Sequence, residues 1–118
     1  MSQDFRAGDF LIFQVESGFG LLRILAIDER ESDRVWHLRG YAELFPDIES
    51  ADAALDSPEL LTVSLPHTAL TTRAFEATPT SRMMFSELGS GEVDAIAEWR
   101  KNGEVVTDRS IRLMLGLR

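Results

Sequence analysis

The sequence predicts an α+β fold, a curved antiparallel sheet of five or six strands carrying one main helix. Three observations predict it. Three consecutive segments between Asp9 and Ala42 alternate their side chains with period two and are separated by a turn and a polar loop. A later segment, Glu92–Lys101, has the caps and charge order of a helix. The C-terminal residues Ile111–Leu117 return to strict alternation.

The first strand is expected over Asp9–Glu16. Leu11, Phe13 and Val15 form one face, and Phe10, Ile12 and Gln14 the other. With apolar residues on both faces, this strand should be central or covered on both sides. Ser17-Gly18-Phe19-Gly20 supplies two glycines for a tight hairpin turn. A second strand follows over Leu21–Asp28, and the acidic and basic residues up to Asp33 form a loop. The third strand, Arg34–Ala42, sets Trp36 and Leu38 on one face against His37, Arg39 and Tyr41 on the other, completing an antiparallel meander.

Between Leu44 and Leu55, Ile48, Ala51 and Leu55 recur at helical spacing until Asp56-Ser57-Pro58 stops them, so the segment is at most a short helix. Glu59–Leu65 reads as a strand ended by Pro66. Thr68–Ser81, with five threonines and Pro79, reads as a surface connection tethered by Leu70 and Phe75, and Arg82–Leu88 as a short strand. In the main helix Ser90 is the expected N-cap. Glu92 and Asp94 lie in the first turn, Arg100 and Lys101 in the last, and Asn102-Gly103 provides the exit. Ile111, Leu113, Leu115 and Leu117 then give a strand with one buried face. Phe13, Ile24, Trp36, Leu38, Val63, Ile96, Leu113 and Leu115 are the expected core.

With 118 residues, 44% of them hydrophobic and 27% charged, residues 1–118 read as a single globular domain. There is no cysteine, which removes disulfides and thiolate chemistry and fits a reducing cytoplasm. No apolar run approaches the ~20 residues that span a bilayer. The N-terminus lacks the basic-then-apolar form of a signal peptide, so a cytoplasmic location is expected. A net charge of −8 repels nucleic acid and anionic membrane, and neither is expected as a partner.

The chemistry-bearing residues form no catalytic pattern. His37 and His67 are the only histidines, and neither has a ligand partner at helical spacing. Asp47–Asp52 lacks the glycine and the closing glutamate of a calcium loop. His67 follows Leu65-Pro66 as a turn residue would. Gly89-Ser90-Gly91 has the wrong spacing for a nucleophile elbow. Gly18-Phe19-Gly20 lacks the lysine and hydroxyl of a phosphate loop. No catalytic residue, metal or cofactor is expected, and the chain is not read as an enzyme.

Charge is distributed unevenly. No Lys or Arg occurs between Arg39 and Arg73, while Glu43, Asp47, Glu49, Asp52, Asp56 and Glu59 all fall there. Such a run is either a solvated surface or a patch that docks a basic protein partner, and complementary charge there speeds encounter and sets specificity. Phe19, at the hairpin tip, either folds back over the sheet or stands out as a contact anchor. Phe10, Ile12 and Tyr41 offer apolar area for a homodimer.

Gly8-Asp9-Phe10-Leu11-Ile12-Phe13, followed by Ser17-Gly18-Phe19-Gly20-Leu21-Leu22-Arg23-Ile24-Leu25, resembles the opening of small bacterial immunity-type proteins. The resemblance covers the first thirty residues or so. It implies a β-rich fold that neutralises a cognate toxin by binding it, with the sheet curling into a partly open SH3-like barrel. It carries over no functional residue. The leading expectation is therefore a protein-binding module acting by stoichiometric association through its acidic surface. A small-molecule-binding or sensory domain is the alternative, and an enzyme without a recognisable motif the second.

Overall fold

The apolar run that opens the chain becomes the middle of the sheet. In the computed structural model, which describes residues 4–117, β1 (Asp9–Val15) lies between β2 (Gly18–Glu29) and β5 (Thr80–Phe85). β3 (Arg34–Phe45) and β4 (Val63–Thr71) continue beyond β2. All pairings are antiparallel, and the five strands run in the order β4-β3-β2-β1-β5, so β4 and β5 are the edges of an open sheet. Register shifts between Gly20 and Leu22 and between Ile24 and Ala26 insert extra residues into the central strands. Bulges of this kind bend a sheet and increase its twist.

Both faces are covered, as the two-sided apolar pattern of β1 requires. Leu11, Phe13, Leu22, Ile24, Trp36, Leu38 and Leu70 point to one face, where α2 (Thr72–Glu76) and α4 (Ile111–Met114) seal them with Ala74, Phe75 and Ile111. Trp36 and Phe75 stack there with ring centroids 4.1 Å apart. Phe10, Ile12, Leu21 and Tyr41 point the other way, under Ala51 of α1 (Ile48–Ala54) and Leu55. Further along that face, Leu25, Val35 and Ala69 meet Ile96 and Trp99 of α3 (Asp94–Lys101). Phe10, Ile12 and Tyr41, expected to offer apolar area to a second copy, are thus buried within the chain.

The Gly-Asp step at the start of β1 has a structural explanation. Gly8 sits at φ 101°, and a Cβ there would lie 2.6 Å from the Ser86 carbonyl oxygen, so only glycine fits. The fully buried Asp9 accepts from the Arg6 backbone N–H at 2.8 Å and from Arg82 Nε at 2.9 Å, which ties β1 to β5.

Several expectations need correction. The hairpin turn is Glu16-Ser17; Gly18, at φ 149°, already pairs with Val15, and Phe19 lies within β2. Pro66 does not end a strand but lies inside β4, which runs on to Thr71. An edge strand tolerates a residue without an N–H, and the register with β3 shifts nearby. Thr68–Ser81 is therefore not a surface connection: it holds the end of β4, α2 and the start of β5, with Leu70 and Phe75 both buried. A 3₁₀ turn at Pro58–Leu60 replaces the beginning of the predicted strand.

The main helix begins later than expected, at Asp94, and Ser90 does not cap it. Among the described residues it is one of four short α-helices, and eight residues make it the longest of them. The C-terminal strand is absent from the described residues. Ile111–Met114 is a turn of helix whose N-cap, the Ser110 hydroxyl, accepts from the Leu113 N–H. Gly116 at φ 71° reverses the chain, and the Leu117 N–H closes on the Arg112 carbonyl at 2.8 Å. Ile111 is buried, Leu115 half-buried against Gly40, and Leu113, expected in the core, is 68% exposed. Val63, also expected there, is 43% exposed.

Ile24→Ala should cost about 2–5 kcal/mol, because the side chain is fully enclosed. Leu113→Ala should change stability by less than about 0.5 kcal/mol. Urea denaturation of the two variants reads both values; equal losses would contradict the C-terminal geometry.

Candidate functional site

The acid-only interval runs from the end of β3 through α1 and the 3₁₀ turn. β3 ends at Phe45, and Asp47 caps α1, its carboxylate accepting from the Ser50 N–H at 2.7 Å and from the Ser50 hydroxyl at 2.6 Å. These bonds hold the Asp47 carboxyl below its ordinary value. Glu43 accepts the Thr62 N–H on both carboxylate oxygens at 2.9 Å, bridging β3 to the approach of β4. Burial alone would raise the Glu43 pKa, but the bonds from Thr62 outweigh it and lower it. Two of the six acids thus hold the segment in shape. The other four, Glu49, Asp52, Asp56 and Glu59, are exposed, and among the described residues none forms an ion pair.

Between α1 and the 3₁₀ turn lies a groove of about 390 Å³, lined by Glu43, Phe45, Ala53, Ala54, Ser57, Leu60 and Leu61. Leu60 is 79% exposed and Ile48 49% exposed, and Leu44 and Val63 are also on the surface. Four large apolar side chains therefore emerge from the same twenty or so residues that carry the six acids. The charge run indicates the acids; the exposed leucines that share the segment carry no sequence signal distinct from that of core residues. Phe19 is half-buried against the apolar residues under α1, packed back onto the sheet.

A second constellation lies at the other end of the same face. His37 on β3 is fully buried, with Nδ1 2.9 Å from His67 Nε2 on β4 and Nε2 3.1 Å from Asp28 Oδ2 on β2. An ionised carboxylate only accepts, so His37 carries its proton on Nε2. Its Nδ1 must then accept, which makes His67 the donor from Nε2. The two rings stack at 5.2 Å, and Trp99 of α3 stands edge-on to His37 at 4.6 Å. Arg100 donates to both Asp28 oxygens at 3.1 Å.

His67 is therefore not a surface turn residue. Period-two patterning through Pro66 would have placed it on the His37 face of β4. Burial lowers the His37 pKa against the opposing pull of Asp28. Burial and the neighbouring His37 lower that of His67 to about 4. Burial would raise Asp28, but its bonds from His37 and Arg100 hold it below the ordinary carboxylate value. The result is a neutral histidine pair that joins β2, β3, β4 and α3. Among the described residues no group of three or more His, Cys, Asp or Glu could hold a metal.

A recess of about 630 Å³ lies on the opposite face beside Trp36, Phe75 and Thr72. Several of its charges are already engaged: Arg34 Nε pairs with Glu29 at 2.7 Å, and Asp33 accepts the Thr72 N–H at 3.3 Å. No helix among the described residues is long and apolar enough to cross a membrane. Comparison of the chain with protein families, with curated proteins and with solved structures finds no match in any of the three.

Both histidines titrate below their ordinary value of 6.5, so between about pH 6.5 and 4 the unfolded chain binds more protons than the folded one. Stability should rise with pH across that window and fall as the solution is acidified through it. Asp28 adds a loss in the same direction below its ordinary value of 3.8. Thermal denaturation from pH 7.5 to 4 checks this. His67→Gln should flatten the slope below pH 6.5, and an unchanged slope would contradict the assignment.

Proposed function

We propose that this chain is a protein-binding module that docks a basic, partly apolar segment of its partner in the groove between α1 and the 3₁₀ turn. One observation carries the reading: exposed Leu60 lines that groove, and the segment that forms it also carries exposed Ile48 and four exposed carboxylates that have no ion pair among the described residues. Exposed apolar area rimmed by polar groups marks interaction surfaces. The apolar centre supplies affinity, and the acidic rim steers a partner of opposite charge. In the immunity version of this reading, suggested by the residues Gly8–Leu25, the partner is a toxin and the curved sheet is a partly open SH3-like barrel.

A photocrosslinker replacing Leu60 tests the reading in cells, with the same group at exposed Leu113 as control. A discrete adduct from position 60 alone is expected, its partner basic and binding the purified chain in a defined stoichiometry. Reversing Glu49, Asp52 and Asp56 to Lys leaves the Asp47 cap intact. It should slow association at low salt by about tenfold or more. An association rate and salt dependence unchanged by the reversal, or identical adducts from both positions, would sink the reading.

A further inference from the structure

The other recess on the α1 face has a different character. It encloses about 220 Å³ and is lined by Phe10, Arg23, Arg39, Tyr41, Leu61 and Val63, with Glu92 on one side and Glu59 also contributing to its wall. Arg23 reaches it from the middle of β2, with its side chain only 6% exposed. One Arg23 terminal nitrogen pairs with Glu92, and the other donates to the Ser86 carbonyl at 2.6 Å. Arg39 donates to the same Glu92 Oε1 at 3.3 Å and to the Glu92 carbonyl at 3.3 Å. The second Glu92 oxygen is occupied by the Gly89 N–H. One carboxylate thus serves two guanidinium groups, and Nε of both arginines is buried without an acceptor.

A buried donor of a charged group without an acceptor is costly and uncommon in folded proteins, and here two arginines that line one recess each carry one. The exposed Glu59 forms no ion pair among the described residues and does not complete either arginine. Tyr41 adds a third polar group. Its hydroxyl interacts with Arg39, and burial pushes its ionisation up, so it stays neutral and can donate. The rest of the wall is apolar: the Phe10 and Tyr41 rings lie at 27° with centroids 6.1 Å apart, and Leu61 and Val63 complete it.

We propose that this recess binds a small carboxylate with a flat apolar body, of which an aromatic monocarboxylate is the simplest member. The two carboxylate oxygens accept from Arg23 and Arg39, and the ring lies against Phe10 and Tyr41. Glu92 and Glu59 offset Arg23 and Arg39 in formal charge, but Glu59 is exposed and pairs with neither, which leaves the arginines short of acceptors, and a carboxylate accepts from two donors at once. The volume lies below the ~300 Å³ at which sites for drug-sized ligands begin, which limits the body to one ring or a short chain. Inorganic phosphate carries more charge and leaves the apolar wall unused. This site is independent of the docking groove, although Leu61 borders both.

Titration of the full chain with benzoate, followed by NMR at the Phe10 and Tyr41 rings, tests the proposal. Saturable shifts at both rings are expected, with benzyl alcohol, which lacks the carboxylate, at least about tenfold weaker. Arg39→Met should weaken benzoate by about tenfold or more. Glu92→Gln removes the competing carboxylate and should strengthen it, so loss of fold in one variant does not decide the result. No saturable ring shift from benzoate in wild type and Glu92→Gln would overturn the assignment. So would phosphate that binds as tightly as benzoate with the same ring shifts, or equal binding of benzoate and benzyl alcohol.

Discussion

The fold depends on a pair of strands that are apolar on both sides. β1 and β2 place Phe10–Phe13 and Leu21–Leu25 at the centre of the sheet, where neither face can be left to water. Burying a large apolar side chain is worth roughly 1.5–3 kcal/mol, and these strands carry such side chains in alternate directions. A sheet of this kind cannot be half of a simple two-layer structure. It needs cover above and below, and a chain of 118 residues supplies that cover as four short helices. Helices this short are not stable alone, so each owes its existence to the strand residues it seals.

Covering both faces traps polar groups that would otherwise reach solvent. Asp9, Arg23 and His37 are all buried on the sheet, and each is answered by another side chain: the first two by Arg82 and Glu92 from distant parts of the sequence, His37 by Asp28 on the neighbouring strand. Such pairs add little net stability compared with apolar replacements, but breaking one is expensive. Their contribution is to fix which edge strand lies beside β1, where the loop ahead of α3 docks, and how β3 aligns on β2. The same accounting sets Arg23 and Arg39 apart, because Glu92 alone does not complete them.

Much of this was legible in the sequence where one physical signal dominated. The meander follows from period-two alternation, and its central position from apolar residues on both faces of Asp9–Val15. Asp94, Arg100, Lys101 and Gly103 mark the body and exit of α3. The start of that helix is obscured because Glu92, which suits a first turn, is drawn to buried Arg23 and half-buried Arg39. Alternating leucines at the C-terminus imitate a strand; Ser110 as a cap and Gly116 as a left-handed exit were the competing signals, and they prevail. Pro66 signals a terminus because proline lacks a donor, a loss that an edge strand accommodates.

Of the acidic residues, the sequence indicates where they cluster but not that Glu43 and Asp47 brace the backbone while the others face solvent. The histidine pair was invisible because its members lie thirty residues apart and meet only through strand pairing. Native-state hydrogen exchange tests the central claim, that the doubly covered pair of strands governs the fold, most directly. The amides of Phe10–Phe13 and Leu21–Leu25 should exchange only by global unfolding, whereas those of β4, α1 and α4 open earlier. Equal protection of α4 and β1, or early exchange within β1 and β2, would contradict it.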